Sequence, residues 1–76
     1  MLKIKDNVDL KELEKFGFFL KTKSEITMYV WQNKYYVDCI EIDLETRQIR
    51  CLGDKNANVV LYDLIQAGLV EKVKEE

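Results

Sequence analysis

The sequence contains no histidine and no proline, and it has only two cysteines and three glycines. Because histidine is the commonest general base and a usual zinc ligand, its absence excludes histidine-based triads and most zinc sites. Two cysteines cannot make a four-cysteine zinc site within one chain. The glycines lie far apart, which excludes a glycine-rich phosphate-binding loop. We therefore predict a protein that is not an enzyme and that carries neither a metal ion nor a cofactor.

Long apolar segments are also missing from the sequence. No apolar run approaches the roughly 20 residues that a membrane-spanning helix requires. Residues 1–6 lack the apolar stretch of about 7–15 residues that defines a secretory signal peptide. Cys39 and Cys51 fit a reducing compartment, in which thiols normally stay unpaired. The sequence thus predicts a cytoplasmic protein without membrane contact.

The size of the chain limits it to one domain. With 76 residues, of which 47% are hydrophobic and 34% charged, it has ordinary globular composition and is predicted to form a single domain over residues 1–76. A chain of this length buries only about 60–65% of the surface that its unfolded state exposes, so its stability is marginal. Formation of a homodimer is one way to raise that stability.

The charged residues do not favour nucleic-acid binding. Lys and Arg number 12 and Asp and Glu number 14, which gives a net charge of −2. Residues 1–37 carry seven lysines and five acids, for +2, and residues 38–76 carry five basic and nine acidic residues, for −4. Only two of the basic residues are arginine, the better reader of bases and phosphates. Nucleic-acid binding is therefore allowed by the charge distribution without being favoured.

Two short helices are predicted from capping residues. Asp9 is a good N-cap with Glu12 three residues later, and the helix over residues 10–16 should stop at Gly17. A second helix over about residues 57–67 should end at Gly68. Its N-cap is predicted to be Asn56 or Asn58, and its buried stripe to be Val60 or Leu61, Leu64 and Ile65.

The segment between the helices predicts an antiparallel meander. Residues 18–52 are rich in β-branched and aromatic side chains, and polar turns divide them into about four strands. Residues 2–5 alternate with a period of two and predict a short edge strand, and residues 69–73 a final strand or extended arm. The fold class is α+β, with the two helices packed on one face of the sheet.

Turn lengths predict how the strands pair. A three-residue turn at 32–34 places Trp31 opposite Tyr35, and a four-residue turn at 43–46 places Ile40 opposite Ile49. One face then carries Ile26, Met28, Val30, Tyr36, Ile40, Ile42, Ile49 and Cys51. The other carries Thr27, Tyr29, Trp31, Tyr35, Val37, Cys39, Glu41, Arg50 and Leu52. We expect the helices to cover the first face, although a slip of one residue in the first turn would exchange the partners. The two cysteines lie on opposite faces and cannot form a disulfide.

An aromatic cluster around the first of these turns is the most suggestive feature for function. The candidate binding residues are Tyr29, Trp31, Lys34 and Tyr35. Exposed Tyr and Trp rings could anchor a protein interface, with a partner or a second copy. Beside a lysine they could also stack on single-stranded bases. The third interpretation is that the rings only stabilise the hairpin and cover the core.

Both ends of the chain resemble small uncharacterised bacterial and prophage-encoded proteins. The resemblance is carried by residues 5–18 (KDNVDLKELEKFGF) and 61–71 (LYDLIQAGLVE). It implies an accessory, regulatory protein of a mobile element, without implying an activity or catalytic residues. Together with the aromatic cluster, it predicts a non-catalytic interaction protein that self-associates or binds a protein partner. The alternative is a weak single-stranded nucleic-acid-binding module.

Overall fold

The structure, a computed structural model, describes residues 1–33, 38–53 and 55–73. In these ranges the elements follow the order β1 (Leu2–Ile4), a 3₁₀ helix (Leu10–Phe16), β2 (Phe19–Lys23), β3 (Ile26–Gln32), β4 (Cys39–Asp43), β5 (Ile49–Leu52), α1 (Lys55–Gln66) and β6 (Val70–Lys72). This order confirms the predicted α+β class. None of the helices in the described ranges is long and apolar enough to cross a membrane.

Strands β2 to β5 form a four-stranded antiparallel sheet in which each strand pairs with its neighbour along the chain. The predicted meander is therefore confirmed. Strands β1 and β6 form a second, two-stranded antiparallel sheet, which confirms the predicted strands at both ends. A bridge between Lys3 and Gln48 links β1 to the region before β5. The backbone N–H of Ile4 donates to the carbonyl of Arg47 at 2.9 Å, so both sheets meet at this corner.

The first helix has the predicted bounds but 3₁₀ geometry. Asp9 caps it by accepting a hydrogen bond from the N–H of Lys11 at 3.0 Å, and Gly17 ends it with a φ of 90°. The predicted partnership of Glu12 with this cap is replaced by an ion pair with Lys15 at 2.9 Å. The predicted N-cap residue, Asp9, and the predicted terminal glycine, Gly17, are thus confirmed.

Helix α1 begins earlier than predicted. Asn56 and Asn58 lie inside it, so neither is the N-cap. Ala57 and Leu64 are fully buried, and Val60 and Leu61 are partly buried, which gives a stripe with helical spacing. Ile65 was predicted to belong to this stripe but is 45% exposed. The backbone N–H of the residue after Gly68 returns to the Leu64 carbonyl at 3.2 Å, which ends the helix where predicted.

The register of the sheet differs from the prediction. Trp31 lies opposite Ile40, and Tyr29 opposite Ile42. Asn33 donates its N–H to the carbonyl of Asp38 at 3.1 Å, so residues 34–37, and not 32–34, separate the paired ends of β3 and β4. The observed β3–β4 pairing is shifted from the predicted pairing by an odd number of residues. Such a shift exchanges the faces of β3 relative to β4. Between β4 and β5 the pairing is shifted by two residues, to Ile42 opposite Ile49, which preserves the predicted face of each.

The corrected register divides the sheet into an inner and an outer face. The inner face carries four buried side chains: Tyr29, Ile40, Ile42 and Ile49. They join one core cluster with Ile4, Leu13, Phe18, Ala57 and Leu64 from the other elements. Ile26, Met28 and Val30, predicted to share a face with Ile40, lie on the opposite, outer face. As predicted, Cys39 and Cys51 lie on opposite faces, and both are free.

The turn between β2 and β3 holds two non-glycine residues at positive φ. Ser24 has a φ of 51° and Glu25 a φ of 67°, within a two-residue loop closed by the Lys23–Ile26 pair. Hairpin turns with two positive φ values favour Asn-Gly, because other residues are strained there. We expect the double substitution Ser24→Asn, Glu25→Gly to raise the free energy of unfolding by about 1 kcal/mol and the Tm by about 4–8 °C.

Thermal unfolding followed by circular dichroism at one protein concentration checks this expectation. The control is Glu45→Gly in the turn after β4, where the residue is not at positive φ. Glycine at position 45 relieves no backbone strain, so this substitution should lower the stability slightly. An unchanged or lower Tm for the double variant would contradict the assignment of strain to the first turn.

Candidate functional site

Tyr29 does not offer its ring to solvent. Its side chain is only 4% exposed and belongs to the core cluster on the inner face. The phenol donates a hydrogen bond to Glu14 Oε2 at 3.1 Å. Burial, with the nearby Glu14 carboxylate, raises the pKa of Tyr29 above its usual value. The prediction that this ring lies on an exposed face is therefore wrong, because the register turns it towards the core.

Trp31 shares the inner face with Tyr29 and is half-buried. It packs against the core cluster, and a Cβ placed on Gly17 would lie 3.4 Å from its Cδ1 atom. The indole thus covers the end of the 3₁₀ helix while one part of it remains accessible. The other two candidate residues, Lys34 and Tyr35, lie outside the described residues. A binding role for Trp31 stays a prediction.

The outer face presents apolar side chains that lie outside the core cluster. Phe19 is 44% exposed, Ile26 is 55% exposed and Leu52 is 44% exposed. Met28, half-buried, lies between Ile26 and Val30 along β3. Val30 is only 2% exposed, yet it is not a member of the core cluster. Along β3 the outer face therefore carries an apolar row that runs from exposed Ile26 through half-buried Met28 to buried Val30, and none of the three belongs to the core cluster.

Charged side chains flank this apolar row with opposite signs. On one side, β2 contributes Lys21, which the register places opposite Met28. On the other side, β4 contributes Asp43, which also lies opposite Met28, and Glu41, which lies opposite Val30. Lys23 continues the basic side of the row, opposite Ile26. The outer face thus carries two lysines and Phe19 on β2, apolar side chains on β3 and two carboxylates on β4.

A groove of about 380 Å³ opens on the acidic side of the outer face. Its walls include Ile26, Met28, Glu41, Asp43 and Arg50. The Asp43 carboxylate accepts backbone hydrogen bonds from Glu45 at 2.7 Å and Thr46 at 2.9 Å. These bonds stabilise the ionised form and hold the pKa of Asp43 below its usual value of 3.8. The groove therefore contains a fixed negative charge throughout the neutral pH range.

The two cysteine thiols lie in surroundings that disfavour their ionised form. Burial raises the pKa of both Cys39 and Cys51, which disfavours the nucleophilic thiolate. The Cys51 thiol instead contacts Asn58 Oδ1 at 3.9 Å. Among the described residues, no cluster of three or more Cys, Asp or Glu side chains could hold a metal ion.

Comparison of the chain with protein-family models, with curated proteins and with solved structures found no match. The outer face is consequently defined by its own geometry alone. Sequence reasoning missed it because the apolar alternation of Ile26, Met28 and Val30 was assigned to the core side. The sequence signal that could have found it is the presence of two lysines, Lys21 and Lys23, on one neighbour of β3 and of two acids, Glu41 and Asp43, on the other.

Proposed function

We propose that the protein is a small, non-catalytic interaction module and that the outer face is its contact surface. The exposed apolar side chains of this face, Phe19, Ile26 and Leu52, carry this proposal. Contact surfaces typically have an apolar centre within a polar, charged rim, and isolated monomers rarely leave large apolar patches exposed. Exposed Phe19 and Ile26 with flanking charges have this composition.

The location of the helices supports the same surface. We infer that both helices cover the inner face, because Leu13 and Leu64 join the cluster that contains Ile40. A partner would then complete the outer face in the way that the helices complete the inner face. A regulatory role in a mobile element is part of this proposal and rests on the resemblance of the two ends of the chain.

The nucleic-acid alternative has less support. Stacking on single-stranded bases requires several exposed rings, but Tyr29 lies in the core, which leaves Phe19 as the one exposed aromatic ring among the described residues of the outer face. The outer face carries Glu41 and Asp43 besides its basic side chains, and carboxylates repel a phosphate backbone. The protein interface is therefore the function that the geometry supports better.

Site-specific photo-crosslinking in the producing cells tests the module. A photo-reactive amino acid replaces Ile26, which is 55% exposed on the outer face, or Val59, which is 60% exposed on α1 and serves as the matched control. We expect a discrete crosslinked species from position 26 and none from position 59. Absence of a discrete species at position 26, or equal crosslinking at both positions, would contradict the assignment of the outer face as the contact surface.

A further inference from the structure

We infer that the occupant of the outer face is a second copy of this chain, related to the first by a two-fold axis parallel to β3. This inference rests on the proposed function, which identifies the surface, and adds the partner and its orientation. It depends on the arrangement of charge around the apolar row. That arrangement is self-complementary in only one of the two symmetric ways of stacking the sheet on itself.

Two side chains of opposite charge lie on one line across the sheet, with Met28 between them. Lys21, Met28 and Asp43 are consecutive cross-strand partners, and directly opposite residues of antiparallel strands point to the same face. Neighbouring strands are separated by about 4.8 Å, so Lys21 and Asp43 lie at equal distances on either side of Met28. The charge on one side of Met28 is therefore opposite to the charge on the other side.

A two-fold axis parallel to β3, midway between two stacked sheets, preserves height along the strand and exchanges left with right. It places β2 of one copy over β4 of the other and keeps each residue at the same position along the strand direction. Lys21 of each copy then faces Asp43 of the other, so the ion pair forms twice. The apolar side chains of β3, Ile26 and Met28, meet their own copies along the axis. Closed two-fold contacts of this kind are the commonest form of self-association.

The alternative two-fold axis lies in the same plane but perpendicular to the strands. It would place β2 over β2 and β4 over β4, bringing lysines against lysines and carboxylates against carboxylates. Like charges in direct opposition disfavour a contact. Both axes give the nearly aligned strands of two-layer β structures, so the electrostatics alone select the axis parallel to β3.

The groove on the acidic side has the position that this dimer requires. It lies beside Met28 and is bounded by Glu41 and Asp43, above which β2 of the second copy would pass. A lysine side chain entering the groove would find the carboxylate of Asp43, which the turn after β4 holds in place, and that of Glu41, which lies opposite Arg50. Stacked sheets lie about 10 Å apart, so side chains from both copies fill the space between them.

Sedimentation equilibrium of the purified full chain tests self-association. We expect a mass of twice the 9.0 kDa chain mass at high micromolar concentration. Ile26→Glu should give the monomer mass, and the matched control Val59→Glu should leave the dimer unchanged. Circular dichroism of both variants shows whether they remain folded. A wild-type monomer, or equal loss of the dimer in both folded variants, would overturn the proposal.

The orientation is tested separately with Lys21→Glu, which changes an exposed residue of an edge strand. Facing Asp43 of the other copy, the new carboxylate should raise the dimer Kd roughly tenfold or more, since it appears twice. A mixture of wild type and Lys21→Glu should bind with an intermediate Kd. A mixed dimer tighter than both parent dimers would mean that β2 packs on β2, which would overturn the axis proposed here.

These outcomes separate the two proposals. If the protein is a monomer but position 26 still crosslinks to a different protein in cells, the interaction module stands and the second copy is wrong as its occupant. If position 26 gives no crosslink and the protein is a monomer, both proposals fail.

Discussion

Replacement of Gly53 by alanine should lower the free energy of unfolding by about 3 kcal/mol or more. Gly53 has a φ of 111°, a conformation that side chains with a Cβ rarely adopt. A Cβ at this position would also lie 2.6 Å from the Cα and 2.9 Å from the Cβ of Asp38. Because the obstructing atoms include the backbone of Asp38, the clash cannot be relieved by rotating a flexible side chain.

Burial and hydrogen bonds prevent Asp38 from moving away from residue 53. Its side chain is 1% exposed, and its carboxylate accepts a hydrogen bond from Asn33 Nδ2 at 3.3 Å. Asp38 also accepts the N–H of Asn33 at its carbonyl, which fixes the end of the β3–β4 ladder. A movement away from residue 53 would disturb both bonds, and buried polar groups that lose their partners are costly.

Urea unfolding followed by circular dichroism, at one protein concentration, measures this effect. The control is Gly68→Ala, because Gly68 has a φ of 77° and no atom lies within 4 Å of a Cβ built there. That variant loses only the conformational preference of glycine, which costs about 1 kcal/mol. If both variants lose the same stability, the close approach of Asp38 to Gly53 has no energetic consequence.

Local signals in the sequence predicted the elements of this fold well. The helix from Leu10 to Phe16 is bounded by Asp9 and Gly17, whose side-chain and backbone preferences act within a few residues. The strand pairing was less predictable, since a single residue of difference in one turn exchanges the faces of a strand. Ser24 and Glu25 show the same limit, because their positive φ values form a turn for which Asn-Gly is the usual sequence signature.

The candidate site depended on the part of the fold that was least predictable. The sequence indicated correctly that both faces of the sheet carry apolar residues, but the wrong register placed Tyr29 and Trp31 outside. Composition alone cannot decide this, since Met28 and Tyr29 are both suited to a buried strand face. Long-range packing determines which of the two faces the core. Tyr29 faces it and donates a hydrogen bond to Glu14 on the 3₁₀ helix.

The guanidinium of Arg47 joins two segments that lie far apart in the sequence. Its Nη1 atom donates to the carbonyl of Lys5 at 2.8 Å and to the carbonyl of Val8 at 2.6 Å. The side chain therefore fastens the segment after β1 to the turn before β5. Arg47 also has a φ of 63°, a left-handed conformation that disfavours residues other than glycine.

These two properties of Arg47 act in opposite directions and can be measured separately. Arg47→Ala removes both charge-assisted hydrogen bonds and keeps the positive φ, so it should lower the free energy of unfolding by about 2–3 kcal/mol. Arg47→Gly removes the same bonds but relieves the backbone, and it should be about 1 kcal/mol more stable than the alanine variant.

Urea unfolding gives both differences, and hydrogen exchange of the Val8 amide, which donates to the Lys5 carbonyl at 3.1 Å, reports the local effect. This amide should exchange faster in both variants by more than the loss of global stability explains, because the segment is released before the sheet unfolds. Equal stabilities of the alanine and glycine variants would mean that the left-handed backbone at Arg47 stores no strain. Unchanged exchange at Val8 would mean that the guanidinium does not hold the segment, and that the β1–β6 ladder alone keeps it in place.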